Sequence, residues 1–426
     1  MNMQLAKQTS GAVKVQQIAT PGGLAAWLVE DYAVPLVSLD FAFKGGAAQD
    51  GPDKAGLATM LASLLDEGAG ELDSDAFHEA LDEKAIEISF HADRDHIGGR
   101  MRTLARNLDA AADLLALSLA KPRFDEDAVA RVHEQLAASL RHEANDPSAM
   151  SGRAWRAGAF PGHPYGRPPA GTLESLNAIA RAEIALQAHR LITRGALHIG
   201  IVGAIDAARA GEILERIFGA LPADGKLDAI QTAQFTGLGR VEILDLDVPQ
   251  STIRFGRPAL SRHDGDYIAS QLAAQILGGG PGMTSRLFRE VRDKRGLAYS
   301  VSANVANLDA ADYLQGSTTT KNERAYESLD VIVEQIRDIA QNGPSAAELD
   351  KAKKYMIGSY PLRFDTSSKI AGQLVQMQLD GYSPHWLIER NQKIAAVSEA
   401  DARRAAGRLL GDGSLNVVMV GRPTKG

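Results

Sequence analysis

The sequence predicts an α+β protein of two homologous domains, each a mainly antiparallel sheet with helices packed on one face. Residues 34–43 and 248–256 both open with Val-Pro and carry a phenylalanine seven positions later, at an offset of 214 positions. Two further strand-like segments, residues 197–203 and 415–421, repeat at an offset of 218. Two repeats at nearly one offset indicate a duplicated domain.

Helical patterns follow the first strand of each half, because apolar residues recur there every three to four positions. Strands with segregated helices are typical of α+β layers, although a repeated α/β unit with a parallel sheet is the alternative. The predicted helices span residues 55–67, 108–119 and 125–143 in the first half and 267–277, 326–341 and 346–357 in the second.

A linker is predicted at residues 221–240, which are rich in glycine, alanine and polar residues and lack a sustained apolar period. This places an N-terminal domain at residues 1–220 and a C-terminal domain at residues 241–426. A chain of 426 residues is long enough for both domains to have a hydrophobic core of their own.

Composition excludes several classes of function. The formal net charge is -7, from 46 basic and 53 acidic residues, which gives no basic surface for nucleic acid. No run of apolar residues is long enough to span a membrane, and the first residues lack the apolar region of a signal peptide. The absence of cysteine excludes thiol catalysis, disulfides and cysteine-bound zinc.

The sequence contains no complete catalytic motif. Histidine precedes glutamate three times, but no second histidine completes H-E-x-x-H, and H-x-x-E-H is also missing. His91 and His96 are five positions apart on what reads as one strand, so we expect them on opposite faces and a poor metal pair. No G-x-S-x-G is present, and the glycine-rich residues 277–288 lack the lysine of a P-loop.

A family resemblance begins in the second half. Residues 276–305 resemble the C-terminal domain signature of the pitrilysin, insulysin and mitochondrial processing peptidase family. The family elements S-R-L-F-x-x-V-R and G-L-A-Y are matched by residues 285–292 and 296–299. Residues 45–70 are similar to the N-terminal catalytic segment of this family, and the resemblance covers nearly the whole chain.

The zinc motif of the active relatives is replaced in this chain. In those relatives H-x-x-E-H directly follows a Gly-Leu-Ala, which here is residues 56–58. Thr59 and Ser63 therefore stand in place of the two zinc-binding imidazoles, and Ala62 stands in place of the glutamate that activates water.

The third zinc ligand of the relatives is a glutamate farther along the chain. Counting from the Asp-Pro turn at residues 146–147 places Ser139 at this position, with Glu134 and Glu143 nearby. One carboxylate cannot hold zinc at useful affinity without the imidazoles. The resemblance therefore implies no metal or other cofactor in this chain.

A second part of the family's apparatus is retained. Active relatives carry an arginine and a tyrosine seven positions apart that grip the substrate, and Arg292 and Tyr299 match them. Spacing alone would leave Arg292 as a solvated helix residue and Tyr299 as a strand aromatic, but the surrounding motif favours the functional interpretation. The resemblance also implies a substrate-binding role for Gly278, Gly279 and Gly280, and residues 86–100 resemble the sheet edge to which relatives add a peptide strand.

The resemblance implies a non-catalytic subunit of a bacterial heterodimeric zinc metallopeptidase that is inactive alone. Its partner would be a homologous subunit with H-x-x-E-H and zinc, and the two would close like a clamshell on peptide substrates. An architectural subunit, like the core subunits of the respiratory bc1 complex, and a free peptide-binding module are the alternatives. Related bacterial proteins often carry export signals, which favours the periplasm over the cytoplasm.

Overall fold

The computed structural model describes residues 14–279 and 284–425, and these ranges form eleven strands and fourteen α-helices. The strands are β1 (Gln16–Ala19), β2 (Ala25–Glu30), β3 (Leu36–Lys44), β4 (Glu87–Ala92), β5 (His96–Leu104), β6 (Leu197–Gly203), β7 (Val241–Leu244), β8 (Gln250–Pro258), β9 (Ala298–Asn307), β10 (Asp312–Lys321) and β11 (Asn416–Val420). The helices of the first half are α1 (Leu57–Ala62), α2 (Ser74–Asp82), α3 (Leu108–Ala120), α4 (Glu126–Ala144), α5 (Pro147–Ala159), α6 (Leu173–Asn177), α7 (Arg181–Leu191) and α8 (Ala207–Phe218). Those of the second half are α9 (Tyr267–Leu277), α10 (Ala325–Asn342), α11 (Ala346–Gly358), α12 (Ser367–Leu379), α13 (Trp386–Ala396) and α14 (Glu399–Leu410).

The chain divides into two compact units, and each unit includes segments from both halves of the sequence. The first unit contains residues 14–140, 168–229 and 360–389. The second contains residues 141–167, 230–279, 284–359 and 390–425. As a result, α12 from the second half belongs to the first unit, and α5 from the first half belongs to the second unit.

The first unit is built on a six-stranded sheet with the order β1-β2-β6-β3-β5-β4. All neighbouring strands are antiparallel except β2 and β6, which run parallel. One face of the sheet carries the main core, in which Phe41 and Phe43 of β3 contact Phe218 of α8 edge to face. The sheet is therefore mainly antiparallel, as the sequence predicts.

The opposite face of this sheet is covered in part by α12. Leu374 and Met377 of α12 pack against Trp27 and Val202, and the Gln378 side-chain amide donates a hydrogen bond to the Ile199 carbonyl at 2.8 Å. The polar half of the β3 alternation, Ser38 and Asp40, points to this same face. The face therefore changes from apolar at β2 and β6 to polar at β3, β5 and β4.

The second unit repeats the plan with a five-stranded sheet in the order β7-β11-β8-β10-β9. Its strands are antiparallel apart from β7 and β11. One face forms a core with α9, α10 and α14, and the other carries α5. The buried Trp155 of α5 donates its indole N–H to the Asn416 carbonyl at 3.0 Å.

These sheets confirm the α+β fold class and exclude the parallel-sheet alternative. The structure adds one feature that the sequence does not indicate, which is a helix on the second face of each sheet. The first predicted helix is also shorter than expected, because α1 ends at Ala62. Among the described residues no helix has the length and apolarity needed to cross a membrane.

Candidate functional site

Arg292 lies on a π-helical turn, Phe288–Asp293, that follows α9 in the second unit. Phe288 and Val291 are buried and fix the turn against the core. The Arg292 guanidinium carbon lies 4.7 Å from the centroid of the Phe288 ring and 4.7 Å from that of Tyr299. A guanidinium stacked on aromatic rings keeps its N–H donors directed outward in a fixed plane.

Tyr299 lies near the start of β9, which is an edge strand of the second sheet in the described part of the chain. Its side chain is 82% exposed, which is unusual for a large aromatic residue on a strand. The pairing of β9 with β10 contains a bulge here, because Thr318 faces Val301 whereas Thr320 faces Ala298. Bulges at sheet edges often redirect a side chain next to a functional site.

Two threonines of β10 hold this bulge in place. The Thr318 hydroxyl donates to the Ser300 carbonyl at 2.8 Å, and the Thr320 hydroxyl donates to the Leu297 carbonyl at 2.5 Å. Both threonines are buried, and each bond joins β10 to a backbone carbonyl next to the bulge. The exposure of Tyr299 is therefore built into the strand.

Several other charged groups around this turn are paired. Burial by itself raises the pKa of Glu290, but hydrogen bonds from Lys294 and Arg295 lower it to about 2. Arg286 is buried and bonds to Glu348 at 2.7 Å. No carboxylate in the described ranges forms an ion pair with Arg292, so its guanidinium remains available to a ligand.

The predicted glycines lie at the end of α9. A Cβ on Gly278 would be 2.5 Å from the Ala303 backbone nitrogen, and the Gly278 carbonyl accepts a hydrogen bond from that nitrogen at 3.1 Å. Gly279 is also buried, with its N–H bonded to carbonyls of α9. Close packing on β9 thus requires glycine at position 278. Substrate binding by Gly278 and Gly279 stays a prediction. Gly280 lies outside the described residues.

The replaced zinc motif lies on α1, and its polar groups bind the backbone. The Thr59 hydroxyl donates to the Pro169 carbonyl at 2.9 Å, and the Ser63 hydroxyl donates to the Thr59 carbonyl at 3.0 Å. The third position, Ala62, is buried. Asp50 accepts hydrogen bonds from the Gly56 and Ala58 N–H groups and so caps the start of α1.

The candidates for the third ligand lie on α4. Ser139 and Glu134 are exposed, and Glu143 lies 3.8 Å from the Arg153 guanidinium. Across residues 14–279 and 284–425 no group of three histidine, aspartate or glutamate side chains is arranged to hold a metal ion.

The expectation that His91 and His96 lie on one strand, with their side chains on opposite faces, is wrong. They lie on different strands, β4 and β5, because residues 93–95 form a turn whose Asp93 carboxylate accepts the Asp95 and His96 N–H groups. His91 pairs with Gly98, two positions beyond His96, so both imidazoles lie on the same face of the sheet. Of these two strands, β4, which carries His91, lies at an edge of the described sheet.

Sequence reasoning did not single out Asp40. This residue is 7% exposed, and burial raises the pKa of its carboxyl to about 6, with partial compensation by Arg100. A sequence feature could have identified this residue, because Asp40 is the one charged residue in the apolar strand segment 34–43.

Two family models match the chain. The model described as insulinase, peptidase family M16, matches residues 28–172, and the model described as the peptidase M16 inactive domain matches residues 179–356. Together they cover most of the sequence.

Curated relatives match over most of their length. A non-peptidase homolog of Helicobacter pylori is 26% identical over 340 residues, which are 80% of this chain and 78% of the relative. An uncharacterized zinc protease of Mycobacterium leprae is 25% identical over 408 residues, or 95% of this chain and 91% of the relative.

Solved structures agree with these matches. A peptidase M16 inactive domain from Pseudomonas fluorescens superposes with a TM-score of 0.90 at 25% identity, over 96% of this chain and 98% of the other. A protease from Helicobacter pylori has the same fold, with a TM-score of 0.86 at 20% identity over 96% and 100% of the two chains. The two-unit α+β fold and the replaced zinc motif identify this chain as an M16-type protein of the inactive class. The chain belongs to the insulinase, or M16, peptidase family.

Proposed function

We propose that this chain is the non-catalytic subunit of a heterodimeric zinc metallopeptidase, and that it contributes Arg292 and Tyr299 in trans to a homologous, zinc-bearing partner. The observation that carries the proposal is the exposed Tyr299 with the Arg292 guanidinium stacked on its ring. An exposed aromatic on a bulged strand contributes little to packing. Its conformation is explained if it contacts something outside this chain.

The chemistry suits peptide hydrolysis. A phenol can donate a hydrogen bond to the oxyanion that forms when water attacks a peptide carbonyl. A guanidinium can hold a neighbouring carbonyl through two parallel N–H donors. Loss of one oxyanion donor typically lowers a rate about a hundredfold to a thousandfold. The partner would supply the imidazoles, the zinc and the glutamate base, whose places are taken here by Thr59, Ser63 and Ala62.

The test first searches the reading frames next to the gene for a homologous H-x-x-E-H protein. The purified chain is then combined with this candidate partner, and cleavage of a fluorogenic peptide is followed. We expect no cleavage by this chain alone and cleavage by the mixture. Arg292→Ala or Tyr299→Phe should lower the rate of the mixture by about a hundredfold without changing complex formation in size-exclusion chromatography. Arg289→Ala and Tyr355→Phe are matched controls, because both residues are exposed and neither takes part in the stacking of Arg292 on Phe288 and Tyr299.

The outcomes separate this proposal from its alternatives. Cleavage by the chain alone, or a mixture indifferent to both Arg292→Ala and Tyr299→Phe, contradicts the proposal. A stable complex without peptidase activity supports an architectural subunit, and peptide binding without any partner supports a peptide-binding module. We also propose a periplasmic location, which cell fractionation with an antibody to the native protein tests.

A further inference from the structure

A cleft lies on the polar half of the first sheet, beside α12. Its floor is formed by β3, β5 and β4, and its wall by residues 364–368 and the start of α12. The cleft has a volume of about 790 Å³. This is within the range of sites that bind small molecules. All of its lining residues belong to the first unit.

The side chain of Asp40 lines this cleft, although the residue is 7% exposed. Its carboxylate accepts no hydrogen bond from any described residue. The nearest cation is Arg100, its cross-strand partner, with Nε 3.8 Å from Oδ2, which is beyond hydrogen-bonding distance. A carboxylate this deeply buried normally has protein donors on most of its lone pairs, whereas the Asp40 oxygens face the cleft, with Arg100 as the only described cation within 4 Å.

The surroundings explain why the protein supplies no donor. Across the sheet from Asp40 lies Gly200, and above it lies Gly372 of α12, where an added Cβ would be 3.5 Å from Oδ2. Neither glycine offers a side chain. The nearest hydroxyl on β3, that of Ser38, is hydrogen bonded to the Ser368 hydroxyl at 3.2 Å.

The charge of the cleft is negative. Asp31, Asp40, Glu87 and Asp365 supply four carboxylates to its lining, against two guanidinium groups. One of these, Arg102, lies 3.4 Å from Glu87. The other, Arg100, is 58% exposed and can move away from Asp40 at little cost.

We propose that this cleft binds a small organic cation whose ammonium or guanidinium group donates hydrogen bonds to Asp40. A charge-assisted bond of this kind satisfies the carboxylate and replaces the distant contact with Arg100. Burial of Asp40 is then part of the site, because a carboxylate in low dielectric attracts a cation more strongly than one in water.

A side chain of a peptide added to β4 is not the ligand. Strands are about 4.8 Å apart, and an added strand would be three spacings, or roughly 14 Å, from β3. This distance is longer than an arginine or lysine side chain. The inference is therefore independent of the proposed peptidase role.

Agmatine, which carries a guanidinium and an ammonium group, is the probe. It is titrated into the full chain by isothermal calorimetry at pH 7.5. We expect a Kd below about 1 mM. Asp40→Asn should weaken binding at least about tenfold, because the neutral amide loses the charge-assisted bond. Arg100→Ala should strengthen binding, because it removes the competing cation.

Asp53→Asn is the control, since this exposed carboxylate belongs to the first unit but is not part of the cleft lining. It should leave the affinity unchanged within about twofold, as expected for a screened surface charge. The proposal is overturned if the wild-type chain does not bind agmatine at millimolar concentration. It is equally overturned if Asp40→Asn binds as tightly as wild type, or if Asp53→Asn weakens binding as much as Asp40→Asn does.

Discussion

At the scale of single residues, the ionisation of Asp40 has a free-energy cost. Burial raises its pKa from 3.8 to about 6, and Arg100 offsets only part of this effect. The folded protein therefore binds a proton more tightly at this carboxyl than the unfolded chain does. The resulting stabilisation is complete below about pH 4 and is lost as the pH rises through about 6. The full difference corresponds to about 3 kcal/mol.

Asp40→Asn removes this cost, so we expect the variant to be more stable at pH 7.5 by about 1–3 kcal/mol. The advantage should disappear near pH 4, where the wild-type carboxyl is already neutral. Urea unfolding at the two pH values measures the difference. Asp365→Asn is the control, because that exposed carboxylate should show no such gain. A less stable Asp40→Asn at pH 7.5 would show that the fold stabilises the ionised form.

Within the family signature, neighbouring arginines have different roles. Arg286 is buried between the carboxylates of Asp338 and Glu348 and stabilises the fold. Arg292 is stacked on two rings and pairs with no described carboxylate. The sequence cannot separate the two, because both belong to the same short motif, and the difference arises from carboxylates more than forty positions away.

At the scale of elements, the contact of α12 with β6 depends on one glycine. A Cβ on Gly200 would be 2.5 Å from the Ala371 carbonyl and 3.0 Å from the Leu374 Cβ. The first of these neighbours is helix backbone, so relief requires α12 to move. The absence of a side chain at Gly200 thus sets how closely helix and sheet approach.

Gly200→Ala should therefore lower the free energy of unfolding by about 1–3 kcal/mol, as overpacking does elsewhere. Gly211→Ala provides a control of opposite sign. That glycine lies within α8 with its nearest neighbour at 3.9 Å, and alanine should stabilise the helix by up to about 1 kcal/mol. Chemical denaturation of both variants measures the two changes. Equal effects would mean that α12 does not rest on Gly200.

The sequence predicted elements well where local pattern decides the outcome. The helix predicted at residues 267–277 has the observed bounds of α9, and the prediction at 108–119 misses α3 by one residue. The helix predicted at 55–67 was too long, because after α1 the chain continues in a tighter turn, in which the Leu64 N–H bonds to the Leu61 carbonyl at 3.0 Å. A pattern of apolar residues does not report such a bond.

The same contrast applies to the candidate site. The motif located Arg292 and Tyr299, but the bulge that exposes the tyrosine depends on Thr318 and Thr320 of another strand. The turn between His91 and His96 could have been predicted, since Asp93 within A-D-R-D is a typical Asx-turn residue. The burial of Asp40 depends on α12, which is more than three hundred positions away.

At the scale of the whole molecule, the internal duplication relates individual side chains of the two halves. The offset of 214 positions that relates β3 to β8 pairs Asp40 with Arg254. Arg254 is also held in a low-dielectric site, where desolvation lowers the pKa of its guanidinium. Gly152 of α5 lies over Arg254 as Gly372 of α12 lies over Asp40. The two repeats thus have charges of opposite sign at equivalent positions, with Asp40 buried and Arg254 half-buried.

Each sheet needs a helix from the other half of the sequence, so we expect neither half to fold alone. Residues 1–240 lack α12 and would expose Trp27, Val29 and Val202 of the first sheet. This fragment should aggregate, whereas co-expression with residues 241–426 should recover soluble protein. Fusing residues 360–389 to the fragment through a flexible linker should also restore solubility. Cooperative thermal unfolding of residues 1–240 alone would contradict this dependence.

The exchanged helices also bear on how the chain arose. Both α5 and α12 are 13 residues long, and they begin 220 positions apart, close to the offset of the strands. An ancestor of half the length would have had this helix once, and with the connectivity of the present chain the helix would have covered the sheet of a second, identical molecule. Such an ancestor would have been a domain-swapped homodimer, and fusion of two gene copies would have turned that intermolecular swap into an intramolecular one.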